Sequence, residues 1–339
     1  MDPDLLAQAC KLYQTTPSRL TTLSGGHYNA VYRFTQVRTS QVDPSRTNFN
    51  SGVLRIGLED CPPEQTLGML EWIRYLAEQG APVSALIVSK QGRLLEQLQQ
   101  GETAFTVTAC EEVEGILAER IPPAEWTDEL FRSIGQAAGK MHAVSKGYHP
   151  SSAELTRPQW FDSYEIHDVV ERLRDTVDPG RNKLLALIDE LKCLPQTPGD
   201  YGLIHDDLHF ANFLVQPSGK VTIIDFDDCV YGWFAMDVAM ALFDVLVLYR
   251  AKSEADNQAF AKTFMSAYLA GYRRENDLPA SRLSLIPGFL KLKEICVYAP
   301  LIGHPEIDQP GTWVGDFMAG RAERIANDVP YVEVDFSVL

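Results

Sequence analysis

Residues 204–212 read Ile-His-Asp-Asp-Leu-His-Phe-Ala-Asn, which puts two imidazoles, two carboxylates and an amide within nine residues. Two chemistries could use such a set. Histidines four apart, His205 and His209, have the spacing of a helical zinc site, but that motif needs a glutamate directly after the first histidine and a helix beneath both. Asp206 stands there instead, and the flanking residues read as strand, loop and hairpin. The alternative is a hard divalent cation. Residues 213–215 and 221–224 are both strand-prone and are joined by Gln216, Pro217, Ser218, Gly219 and Lys220, with Pro and Gly at turn positions. Antiparallel pairing brings Asn212, just before the first run, and Asp225, just after the second, together at the open end of the hairpin. Magnesium takes one or two carboxylates and completes its shell with phosphates and waters. Asp225 and the Asn212 amide oxygen are therefore the candidate metal ligands. Asp207 lies in the loop entering the hairpin, where a carboxylate can accept a hydroxyl proton or orient the hydroxyl for in-line attack. It is the candidate base. A single loop aspartate is ordinarily a turn former or cap; the joint spacing is what points to catalysis.

These side chains need a scaffold. In the first hundred or so residues, short β-branched and aromatic runs at 31–35, 52–56 and 105–108 predict a small sheet. Residues 64–79 set Leu67, Leu70, Ile73 and Leu76 on one helical face, stopped by Gly80 and Pro82. Beyond Gly115 helical patterns dominate, at 127–146, 161–176, 183–191, 233–250, 257–274 and 283–297, interrupted only by the 201–226 segment that carries the polar chemistry. The expected class is α+β, with domains 1–113 and 114–339 and a lobe boundary near 113–117.

The chain has 339 residues, 45% of them hydrophobic and 10% aromatic, a globular composition with no fixed-period repeat. A net charge of -16 argues against nucleic acid as a partner and against an anionic membrane surface. Six scattered cysteines show no paired zinc spacing and read as reduced thiols. The amino terminus lacks the basic, apolar and small-residue pattern of a secretory signal, so cytoplasmic residence is expected. The apolar run 233–249 contains Asp237 and Asp244, which mark it as a core helix and not a membrane span.

His205-x-Asp207-x4-Asn212, followed by Asp225-Phe226-Asp227, resembles the catalytic loop and metal segment of the protein-kinase-like aminoglycoside phosphotransferase and choline kinase family. The family's loop commonly reads His-Gly-Asp, so Asp206 is a departure that bears on the local backbone. The resemblance covers nearly the whole chain and implies a bilobed fold, with an antiparallel-sheet N-lobe that binds nucleotide and a helical C-lobe. It also implies transfer of the γ-phosphate of ATP, or another nucleoside triphosphate, with Mg2+, onto a hydroxyl. His205 would buttress the loop beside the catalytic Asp207 and Asn212. Asp237 matches an aspartate that braces the loop in the family, although a helix-capping role is the alternative.

The resemblance extends to the nucleotide end. Ser24, Gly25 and Gly26 precede a strand and would let backbone approach phosphates; two glycines there can also be only a hairpin turn. Arg55 takes the place of the phosphate-gripping lysine, or is an exposed strand arginine. Glu71 is the candidate helix glutamate that pairs with it, with Met69 the competing register. Cys110, Glu111, Glu112 and Val113 would form the hinge that meets adenine, or an acidic surface turn. The partners implied are a nucleotide and a small-molecule acceptor: an amino sugar, amino alcohol or amino acid, for which Asp228, Asp244 and Glu294 could supply charge. A protein serine/threonine kinase and a catalytically silent nucleotide-binding regulator are the alternatives.

Overall fold

A computed structural model describes residues 2–23, 29–36, 51–58, 61–174, 178 and 180–339. Its contacts divide the chain into two units. The first comprises residues 1–114 with 149–156, and the second residues 115–148 with 157–339.

The first unit is a five-stranded antiparallel sheet in the order β1-β2-β3-β5-β4. Its strands are β1 (Leu20–Thr22), β2 (Asn29–Thr35), β3 (Ser51–Leu58), β4 (Glu96–Gln100) and β5 (Thr103–Glu111). Alternation along β3 and its neighbours turns Phe34, Leu54, Ile56, Val107 and Ala109 to one face. There they meet Ala9 and Tyr13 from the first helix, α1 (Pro3–Leu12), and its C-terminal cap. The second helix, α2 (Pro63–Glu78), ends close to the predicted stop and buries Leu70, Ile73 and Leu76. Gly68 of α2 meets the Leu155 carbonyl so closely that a Cβ would sit 2.2 Å from it, which joins residues 149–156 to this unit.

The second unit is mainly helical: α3 (Asp128–Ser145), α4 (Tyr164–Arg172), α5 (Gly180–Lys192), α6 (Phe234–Tyr249), α7 (Glu254–Tyr272), α8 (Ala280–Leu283), α9 (Ile286–Leu301), α10 (Trp313–Met318) and α11 (Arg321–Ala326). Two small antiparallel ribbons interrupt it. One joins β6 (Ile116–Leu117), β8 (Phe213–Val215) and β9 (Val221–Ile223); the other pairs β7 (Tyr201–Ile204) with β10 (Val230–Trp233). The α+β class expected from the sequence is therefore the class observed.

Helices α3 and α7 approach backbone to backbone. Added Cβ atoms would lie 2.0 Å from the Tyr268 carbonyl at Gly135, 2.5 Å from the Tyr272 carbonyl at Gly139 and 1.9 Å from the Arg132 carbonyl at Gly271. Only glycine permits so close a crossing. Helix α6, apolar around its whole circumference except at Asp237 and Asp244, runs through the core of this unit. No helix among the described residues is long and apolar enough to cross a membrane.

Candidate active site

The site is built on the ribbon of β8 and β9. Phe213 pairs with Ile223, Leu214 with Thr222 and Val215 with Val221, and the Ile224 amide donates to the Asn212 carbonyl at 3.0 Å. Asn212 thus faces Ile224 across the ribbon, and Asp225 is the next residue beyond that rung. Asp225 has φ +64, a left-handed conformation that aspartate tolerates better than most residues.

Asn212 spends its amide hydrogens on Asp207. Its Nδ2 donates to the Asp207 carbonyl at 2.8 Å and to Asp207 Oδ2 at 3.3 Å. That leaves Oδ1 without a partner among the described residues, the orientation a cation ligand needs. No three His, Cys, Asp or Glu side chains among the described residues converge on a metal position.

His209 meets the same carboxylate oxygen of Asp207. The His209 Nδ1 accepts from the Ala211 amide at 3.1 Å, so the proton sits on Nε2, which lies 3.1 Å from Asp207 Oδ2. Burial alone would raise the Asp207 carboxyl. The His209 hydrogen bond and the charges of Lys293, His209 and His205 outweigh it, holding Asp207 well below the usual carboxylate range. Sequence reasoning gave His209 no role; its tautomer depends on an amide two residues on that only the folded turn presents.

His205 is fully buried, and its Nε2 donates to the Ile224 carbonyl at 2.9 Å, tying the loop to the end of β9. Asp237, also fully buried in the first turn of α6, accepts from the His205 amide at 2.9 Å and the Asp206 amide at 2.8 Å. It therefore braces the loop rather than capping a helix at the surface. The departure at Asp206 has a structural counterpart: φ is +67, the conformation glycine adopts most readily. The Asp206 side chain lines a small cavity of about 30 Å³ with Trp160, Glu165, Lys293 and Cys296. Desolvation, then the Glu165 charge, push its carboxyl well above the usual range, against the opposing pull of Lys293. Lys293 itself lies 2.7 Å from Glu165.

Arg157, missed in the sequence, clamps the metal segment. Its Nε donates to the Cys229 carbonyl at 2.8 Å and its Nη2 to the Asp227 carbonyl at 2.7 Å. Two of the acidic residues weighed for the acceptor have other work. Glu294 is fully buried and paired with Arg321 at 2.6 Å, while Asp244 accepts from the Phe210 amide at 2.8 Å. Asp228 is exposed.

In the first unit, Arg55 lies opposite Val31 and Thr108, on the face of β3 away from the apolar core. Its guanidinium rests against the Asn29 amide, 2.5 and 2.9 Å from the oxygen when that amide is turned to accept. Glu71 Oε2 accepts from the Ser151 amide at 3.0 Å, and Met69 is buried. Cys110 and Glu111 close β5, with Glu112 and Val113 following. The Glu111 amide donates to Ala85 and the Glu112 amide to Ser51, while the Glu112 carboxylate pairs with Arg33. Ser24, Gly25 and Gly26 lie outside the described residues.

Residues 19–278 match the model of the phosphotransferase enzyme family. The chain belongs to that family. It is 32% identical to amicoumacin kinase of Bacillus subtilis (strain 168) over 278 residues, 80% of each chain. It also resembles the solved structure of the amicoumacin kinase hAmiN in complex with AMP-PNP, Ca2+ and Ami, with a TM-score of 0.82 and 28% identity over 98% of this chain and 95% of that one. The structure of a microcompartment-associated aminopropanol kinase shares the fold, with a TM-score of 0.69 and 23% identity over 96% and 98% of the two chains. This family member is a small-molecule kinase, carrying out ATP-dependent transfer of phosphate to a hydroxyl.

Proposed function

We propose that the chain is a magnesium-dependent kinase whose acceptor carries an amine beside the hydroxyl that is phosphorylated. The observation that carries this reading is the disposition of Asn212, both amide hydrogens directed to Asp207 and its oxygen left free beside Asp225 in the backbone register. Asn212 Oδ1 and the Asp225 carboxylate would hold the ion. When bound, it supplies charge neutralisation on the nucleotide phosphates.

Asp207, kept ionised by its surroundings, accepts the proton of the acceptor hydroxyl as that oxygen bonds to the γ-phosphorus. The bond from the γ-phosphorus to the β–γ bridging oxygen breaks, and ADP leaves. Positioning and electrostatics carry the catalysis, with no covalent enzyme intermediate. His205, His209 and Asp237 keep the loop in register. In the first unit we assign Arg55 to the polyphosphate and the backbone of Ser24, Gly25 and Gly26 to close phosphate approach. Residues 110–113 would meet the base; the Glu111 and Glu112 amides are already engaged within the protein, so the Val113 amide is the donor available there. Glu71 would support Arg55.

The amine preference rests on the charge beside Asp207. Asp206 and Glu165 share a small cavity with a single cation, Lys293, and exposed Asp228 adds a further carboxylate to the field on Asp206. A protonated amine would relieve that excess. Aminopropanol kinase, by its name, acts on a compound of this kind. An ATP-consuming enzyme of this sort would work in the cytoplasm.

The test is ADP release by the purified protein with ATP, Mg2+ and a panel of amino alcohols, amino sugars, amino acids and amicoumacin. Stimulation by at least one amine-bearing alcohol is expected. Tight ATP binding with no stimulation across the panel would mark a nucleotide-binding regulator, and phosphate found on a protein substrate would mark a protein kinase.

A further inference from the structure

We propose that Arg157 is a positioning residue of the candidate metal site: its guanidinium fastens the turn that follows Asp225 and so fixes the direction in which the Asp225 carboxylate points. The inference rests on the assignment of Asp225 to the ion.

The metal segment is anchored upstream by the β8–β9 ribbon. The Ile224 amide donates to the Asn212 carbonyl at 3.0 Å, and the chain then leaves the ribbon through Asp225 at φ +64. Residues 226–229 turn toward β10, with the Cys229 amide donating to the Phe226 carbonyl at 3.1 Å. The Asp227 and Cys229 carbonyls lie outside the ladders of both ribbons. Arg157 supplies their donors, Nη2 to Asp227 at 2.7 Å and Nε to Cys229 at 2.8 Å. Asp225 is therefore held from two sides, one residue after the Ile224 rung and two residues before the clamp.

The chemistry of the clamp is specific to arginine. Arg157 is only 8% exposed, and a charged group taken out of water is costly unless its hydrogens are bonded. Its rigid planar fork meets two acceptors at a fixed separation, which the point-like ammonium of lysine does not. Packing alone would bury this segment: Phe226 is buried and its ring lies against His205, with centroids 4.7 Å apart. That contact leaves the carbonyls beyond Phe226 unfixed.

The residues after Arg157 hold it in place. The Tyr231 amide donates to the Pro158 carbonyl at 2.8 Å, and Gln159 bridges to Tyr231 in parallel. Tyr201 Oη donates to Gln159 Oε1 at 2.5 Å, and buried Trp160 packs on Trp233 with centroids 5.9 Å apart. Residues 158–160 thus lie along the β7–β10 ribbon, and Arg157 at their head reaches past the start of β10 into the turn.

The experiment is calorimetric titration of the full-length protein with a non-hydrolysable ATP analogue, with and without Mg2+, joined to amide hydrogen exchange. The variants are Arg157→Met, Arg157→Lys and Asp225→Ala. Methionine keeps an unbranched apolar stem and drops the donors. In Arg157→Met the Mg2+-dependent affinity should fall by about 10–100-fold, as for a removed outer-shell partner of a metal ligand, with the metal-free affinity within about threefold of wild type. Arg157→Lys, which keeps the charge but not the fork, should fall between Arg157→Met and wild type. Exchange at the Cys229 amide should speed by about tenfold or more in Arg157→Met, while exchange at Ile224 stays within about threefold and shows the ribbon intact. An equal loss with and without Mg2+ would make Arg157 a merely structural residue and overturn the proposal. Unchanged Mg2+-dependent affinity in Arg157→Met beside a loss in Asp225→Ala would overturn it too, with the Asp225 assignment left standing. Unchanged affinity in both variants would overturn the assignment and the proposal together.

Discussion

Asp207→Asn is expected to lower kcat by about 10²- to 10⁴-fold, the range associated with a positioned general base, while the Kd for ATP stays near the wild-type value. Asparagine keeps the size of the side chain and can still meet the Asn212 Nδ2 and His209 Nε2 through its own oxygen, so the loop should stay folded. What it cannot do is take up a proton. A loss in kcat with nucleotide affinity retained is the signature of an interaction made in the transition state; steady-state kinetics with a panel acceptor and calorimetry with a non-hydrolysable ATP analogue would measure the two. The wild-type enzyme carries a related pH expectation. Because the Asp207 carboxyl is held below its ordinary value of 3.8, it is ionised at every pH above that value, and an acid limb at higher pH would have to come from another group.

Asp225→Ala should behave differently. Outer-shell partners of a metal ligand cost about 10–100-fold in metal affinity when removed, and Asp225 is assigned as a direct ligand, so Mg2+-dependent nucleotide binding should weaken by at least about 100-fold. Titration with the ATP analogue in the presence and absence of Mg2+ separates this from a folding defect. The Mg2+-dependent part of the affinity should vanish while the metal-free part remains. Wild-type affinity in Asp225→Ala would remove this residue from the metal site.

The two substitutions act on residues whose placement could be anticipated because the ribbon announces itself locally. Two short β-prone runs flank a Pro- and Gly-containing turn, and pairing at that spacing leaves little choice but to set Asn212 and Asp225 at the same end. Helices α2 to α7 and α9 were equally legible from their apolar periodicity, with Thr127 and Ser253 capping α3 and α7 at their starts, while the short α10 was not anticipated. Helix α1 carried its own start signals, Asp2 as cap and Pro3 in the first turn, and could have been found from them. Strand β10 could not. Its residues, Val230–Trp233, run straight into the apolar α6, and only pairing with β7 distinguishes strand from helix there.

The supporting residues were hidden for a different reason. Arg157 acts through backbone carbonyls far away in sequence, and His209 through neighbours that only the folded turn presents to its ring, so no spacing rule marks them. Asp206 was visible as a departure from the family's glycine, but its consequence was not. The structure has it in the conformation that glycine would adopt, and an aspartate there keeps the backbone while adding a carboxylate beside Lys293 and Glu165.

The most direct measurement is 31P NMR of ATP and Mg2+ with the amine-bearing alcohols of the panel, comparing wild-type protein with Asp207→Asn. A phosphomonoester resonance should grow in step with ADP in the wild-type sample and stay at background in the variant. Equal phosphomonoester formation by both proteins would contradict the assignment of Asp207 and, with it, the mechanism.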